Sequence, residues 1–156
     1  MKKFAANFLV SQDGSFLKNG IVEADEAGKV IRVVDTKGDL REAAQLTFHN
    51  GILIAGFVFV KDSDIMIPVQ AEFHSFAYQL FSHLEQINLQ NLVEAGTQIQ
   101  VQFPEMNIPE ILNEISDFLV ESGSYRKETI PGIFLLVGAD LFQLRFTSQC
   151  RLKKIL

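Results

Sequence analysis

Four groups of residues are suited to chemistry by type and spacing. Asp62 and Asp64 bracket Ser63 in the run KDSD, residues 61 to 64, an arrangement that could hold a hard cation weakly. His49, His74 and His83 are the chain's 3 histidines. His74 and His83 lie nine residues apart, which is roughly 180° around a helix, so one metal ion cannot easily take both. Glu110, Glu114, Asp117 and Glu121 share one helix face opposite Ile111, Leu112, Ile115, Phe118 and Leu119, the disposition of a solvated face. Cys150 is the single cysteine and has no histidine near it in sequence to act as its base, so a structural thiol is expected. No P-loop, Gly-x-Gly-x-x-Gly run, Cys-x-x-Cys pair or Gly-x-Ser-x-Gly elbow occurs. The expectation is therefore no catalytic residue, no metal ligand and no cofactor.

The elements that would position these residues change character along the chain. Residues 2–36 predict a β-meander: KKFAANFLVS, a turn at Gln12 to Gly14, FLKNGIVEAD, a turn closed by Gly28, and GKVIRVVDT. DTKGDLREAAQ predicts a loop or short helical turn, and LTFHNGILIAGFVFV two short strands broken at Asn50-Gly51. Beyond Pro68, Phe73, Phe76, Ala77, Leu80, Phe81, Leu84 and Ile87 recur at spacings of 3 and 4, which predicts a helix over residues 69–87. IQVQF, residues 99–103, alternates like a short strand. A second helix is predicted in NIPEILNEISDFLVESG, with Asn107 and Glu110 as a capping box, Pro109 in the first turn and Gly123 as the stop. The tail returns to strands in GIFLLVGAD, LFQLRFTS and CRLKKIL.

Composition bounds the partners. With 156 residues and a hydrophobic fraction of 47%, including 14 Phe and no Trp, the chain is long enough to bury a core without staples. The net charge is −5 and the 14 Lys and Arg are scattered, which argues against nucleic acid. One cysteine agrees with a reducing compartment, so a cytoplasmic location is expected. MKKFAANFLVSQDG has two lysines before an apolar stretch, but Asn7 interrupts it and no small-residue cleavage site follows, so a strand is expected there rather than a signal peptide. No apolar run approaches the ~20 residues of a membrane helix.

Two segments carry a family resemblance. HNGILIAGF, residues 49–57, is similar to the lead into the first barrel strand of the metal-dependent amidohydrolases, cyclic deaminase and chlorohydrolase branch, with Ala55 where that family usually has Pro. IPGIFLLVGADLFQLRFTSQCRLKKIL, residues 130–156, resembles their closing segment. The resemblance implies an α+β fold: a small composite β-sandwich from residues 1–60 plus 130–156, with a two-helix insert over 61–129 in place of the TIM barrel. It also implies that Lys61 and Ser63 stand where the family has its first His-x-His pair. An ammonium repels a dication, and about seventy residues cannot form a barrel that needs about 250. The implied protein is a barrel-less, non-catalytic binding or interaction module; the alternative is a metal-dependent hydrolase of C–N bonds whose site another subunit completes. Phe73, Phe76, Leu80, Phe81 and Leu84 form the expected interaction face, with a homodimer or another protein as partner and neither nucleic acid nor membrane.

Overall fold

A computed structural model of the chain describes residues 1–41, 45–65 and 72–156. The fold is α+β, as expected from the sequence. Strands β1 (Lys2–Val10), β2 (Phe16–Lys18), β3 (Ile21–Ala24), β4 (Val30–Val34) and β5 (Leu46–Lys61) come first. Helix α1 (Glu72–Phe81), strand β6 (Gln86–Ile87), helices α2 (Leu89–Gln102) and α3 (Ile108–Ser116) and a π-helical turn (Asp117–Glu121) follow. Strands β7 (Tyr125–Val137) and β8 (Arg151–Lys154) complete the order. No described helix is long and apolar enough to cross a membrane.

The strands expected to form a two-layer sandwich lie in a single mixed sheet of order β4-β3-β1-β5-β7-β8, with β2 beside β1 and β6 beside β5. The linking strand is β5, which pairs in parallel with β1 and antiparallel with β7. It is one continuous strand of 16 residues where two short ones were expected. Gly51, at φ 145°, carries the chain through the Asn50-Gly51 irregularity, and its N–H donates to Asn7 Oδ1 at 2.7 Å. That bond gives a structural role to the asparagine that interrupts the apolar run of β1.

Each face of the sheet has its own core. On one face Ile52, Ile54, Phe57 and Phe59 of β5 pack with α1, α2 and α3. On the other, Phe4, Ala6, Leu9, Val22, Leu53, Ile133 and Leu135 pack with Val30, Val33, Ile155 and Leu156 and with no helix residue. The sheet covers this second core by curling: Gly132 N–H donates to Gly28 O at 2.8 Å, although β1 and β5 lie between β3 and β7 in the strand order.

A bulge lets β5 serve the helix face from Ile52 to Phe59. Ala55 pairs with Ile133 and Phe57 with Thr129, so residues 130–132 stand opposite Gly56 alone. Side chains alternate with period two, and the irregularity inverts the alternation. Even-numbered Ile52 and Ile54 and odd-numbered Phe57 and Phe59 therefore meet the same helices. A side chain at Gly56 would place its Cβ 2.8 Å from Ile130 O, and Pro131 in the bulge has no N–H to leave unpaired.

The helical region differs from expectation in two places: the helix expected to run to Ile87 ends at Phe81, with Gln86–Ile87 pairing as β6, and α2 is a third helix where two were expected. Residues 99–102 form the last turn of α2, not a strand. Leu89, Leu92, Val93, Gly96 and Ile99 are buried along one face, while Val101 is 84% exposed. Asn88 and Asn91 close a capping box at its start, and Gly96 faces Phe146, whose Cζ would be 2.6 Å from an added Cβ. In α3 the expected box of Asn107 and Glu110 is present, with Pro109 in the first turn. Ile111 and Ile115 are 0% and 1% exposed, each burial contributing about 2 kcal/mol.

Helix α1 is described from Glu72; its expected start at Val69 lies outside the described residues, as do residues 42–44 of the DTKGDLREAAQ segment. Its apolar face lies partly against the core of the chain. Phe81 is 1% exposed and belongs to the core, and Phe73, Phe76, Leu80 and Leu84 are half-buried against it. The Tyr125 hydroxyl reaches Phe81 O at 2.9 Å and Leu84 O at 2.6 Å, joining the end of α1 to β7. In the tail, LFQLRFTS is a turn closed by an Asp140–Arg145 bridge and not a strand, because Asp140 Oδ1 accepts from the N–H groups of Phe142 and Gln143.

Two substitutions test these contacts. Gly28→Ala puts a Cβ at φ +87°, 2.9 Å from Gly132 N, and is expected to lower the unfolding free energy by about 2 kcal/mol or more in urea titrations. Phe81→Glu places a charge in the core and is expected to cost more than about 3 kcal/mol; circular dichroism should show global unfolding, not a folded chain of altered mass.

Candidate functional site

Most residues singled out by type are occupied by structural partners. Lys61 Nζ donates to Ser82 O at 2.8 Å and pairs with Asp64 at 3.1 Å, its side chain only 10% exposed. Asp62 pairs with Arg126, which also holds Glu128 at 2.7 Å. Both carboxylates of KDSD thus face cations of the chain itself. His74 packs its ring 5.4 Å from Phe118, His83 is exposed, and His49 lies 5.8 Å from Phe4 with Nε2 buried and without a hydrogen-bond partner. Among the described residues no three His, Cys, Asp or Glu side chains converge. Cys150 Sγ accepts from Thr147 N–H at 3.3 Å, and Glu110, Glu114, Asp117 and Glu121 are all exposed.

The best-formed cavity lies elsewhere. It encloses about 350 Å³ between the β1–β2 turn, the far halves of β5 and β7, and the α3 region with its π-helical turn. Apolar walls come from Val10, Phe57, Phe59, Leu112 and Val120, and the charged groups are Asp13, Asp117 and Lys127. An apolar void of about 20 Å³ shares Val10, Phe57, Leu92 and Leu112 with it. Two more open depressions, of about 260 and 390 Å³, contain no lysine or arginine.

Lys127 owes its place to the bulge. Phe134 and Leu136 point to the helix face of β7, so unbroken alternation would send Lys127 to the opposite face. The irregularity at 130–132 inverts the parity, and Lys127 instead lies opposite Phe59 with Nζ 4.1 Å from the centre of the Phe57 ring. That distance is a cation–π contact. Among the described residues Nζ has no hydrogen-bonded or ion-paired partner within the chain. Burial pushes the Lys127 ammonium below the usual lysine range, with Asp13 opposing the shift.

Asp13 sits at the tip of the β1–β2 turn. Its Oδ1 accepts from the Ser11 hydroxyl and, at 2.9 Å, from Ser15 N–H. Hydrogen bonds from the Ser11 hydroxyl first, then from the Ser15 backbone and side chain, hold its pKa down at about 2. Gln12 fixes the turn to the sheet through an Nε2 donation to Gly56 O at 2.9 Å, across the bulge. The two residues at this mouth are signalled in the sequence only as a turn, and Lys127 is signalled by nothing local, because its orientation depends on a register shift three residues away.

The chain matches no protein-family model, and comparison with curated proteins and with solved structures gives no match. The fold and the cavity define a class by form alone: a small α+β protein with a half-open, mostly apolar pocket lined by a lysine that has no hydrogen-bonded partner among the described residues.

Asp13 makes a pH-dependent contribution. Its folded pKa of about 2 lies below the ordinary 3.8, so its stabilisation is full above pH 4 and is lost as pH falls toward 2. Solvent around this exposed carboxylate limits the effect to about 0.5–1 kcal/mol. Asp13→Asn is expected to be less stable than the parent at pH 6 by that amount, the difference vanishing near pH 2 in urea titrations at each pH.

Proposed function

We propose that this chain is a binding module for a small organic carboxylate with an apolar body, held at the pocket around Lys127. The observation that carries the proposal is the half-buried Lys127 ammonium in a cavity of about 350 Å³, over Phe57 and without a hydrogen-bonded acceptor among the described residues. A cation drawn out of water without a partner is costly to the fold. An incoming carboxylate supplies the missing partner, and its apolar body covers Val10, Leu112 and Val120. Mostly apolar concavities with a few placed polar groups are the common form of small-molecule sites.

Kinship to the composite β-domain of the amidohydrolases is part of this proposal. Two features support it: HNGILIAGF lies within one strand, β5, and the closing segment returns beside that strand as β7. Such a domain, without the barrel, would work by binding.

Titration of the ¹⁵N-labelled chain with 3-phenylpropanoate tests the proposal. Saturable shifts are expected for the amides of Gly14, Val120 and Lys127, all at the pocket. Lys127→Met keeps the apolar stem and removes the charge, so it should stay folded, gain up to about 1 kcal/mol of stability, and lose binding at least tenfold. Equal binding by Lys127→Met would overturn the proposal.

A further inference from the structure

The pocket carries more negative than positive charge. Lys127 is its one cation, whereas Asp13 on the β1–β2 turn and Asp117 on the π-helical turn are both carboxylates lining the same space. A ligand bearing only a carboxylate would satisfy Lys127 and bring a third anion beside the other two. One that also carries an ammonium answers both signs. The carboxylates are accessible: Asp13 is exposed at the tip of its turn, and the Asp117 side chain is exposed and makes no hydrogen bond among the described residues. Asp13 stays ionised under all ordinary conditions, since Ser11 and Ser15 hold its pKa at about 2.

Size and polarity narrow the class further. A cavity of about 350 Å³ is at the small end of ligand pockets, suited to a single residue more than to a peptide. Its inner wall of Val10, Phe57, Leu92 and Leu112 is shared with the apolar void, with no polar group to meet a polar side chain there. We infer that the ligand is a free α-amino acid with an apolar side chain, its carboxylate at Lys127, its ammonium between Asp13 and Asp117, and its side chain against Phe57 and Leu112. This rests on the reading of Lys127 as a carboxylate site and adds the second charge.

Isothermal titration calorimetry of the intact chain separates the two. One set of ligands is L-phenylalanine, 3-phenylpropanoate and 2-phenylethylamine; a smaller aliphatic set is L-leucine, 4-methylpentanoate and 3-methylbutylamine. The amino acid of at least one set is expected to bind at least tenfold more tightly than its partner lacking the ammonium and its partner lacking the carboxylate. Asp117→Asn, at an exposed and unbonded side chain, should remove most of that advantage and leave the simple carboxylate unaffected. Lys127→Met should weaken both acids. Simple carboxylates binding as tightly as the amino acids in both sets would overturn the inference while leaving the carboxylate site standing. No binding by any acid at millimolar concentration would overturn both.

Discussion

Side chains along a strand must alternate between faces, and of the three places where the strand register shifts in this protein, the one at Gly56 and residues 130–132 shapes the helix face. Both long strands change parity there together. Before the break, Ile52 and Ile54 meet the helices with Phe134 and Leu136; after it, Phe57 and Phe59 do so with Lys127 and Tyr125 alongside. Without the inversion half of this row would turn to the concave core, and the helices would lose the aromatic floor on which α3 and its π-helical turn rest. The same local device holds Gly132 at φ +130°, where its N–H meets the Gly28 carbonyl and draws the sheet over its second core.

Fold and pocket are therefore one construction. Gln12 reaches from the mouth of the cavity to the Gly56 carbonyl, so the turn bearing Asp13 is anchored on the bulge that also orients Lys127. Asp13 and Lys127 therefore both depend on that bulge for their place at the cavity. The helix side supplies the remaining wall through Leu112 and Val120. Lys127 lies over Phe57 with no hydrogen-bonded acceptor among the described residues, so its ammonium is stabilised there by the ring and by the Asp13 charge.

Much of the fold is legible in the sequence where signals are local. Asp13-Gly14 and Gly28 mark their turns, Asn107 with Glu110 marks the start of α3, and the spacing of Phe73 to Phe81 marks α1. Residues 99–102 mislead because four alternating residues fit a strand and a helix end equally; the box of Asn88 and Asn91 and the series Leu89, Leu92, Val93, Gly96 and Ile99 are the overlooked helical signals. The single sheet is not legible, since parallel pairing of β1 with β5 is a matter of distant contacts. Neither is the pocket. Lys127 stands between exposed Arg126 and Glu128 in the sequence; alternation puts it on the face opposite theirs, and only the inverted parity makes that face the helix face.

The long strand β5 also bears on the order in which the chain can assemble. Its partner on one side, β1, is already present when it emerges during synthesis, but Leu53 must wait for Leu135 and Phe59 for Lys127. Until then the most apolar strand of the protein has an unpaired edge, of the kind that recruits other chains. Pairings this distant in sequence form late and slowly. The nascent chain therefore passes through a stage in which helices α1 to α3, made in the interval, are the one cover available for β5, so their early docking on its face shields the strand from aggregation before β7 arrives.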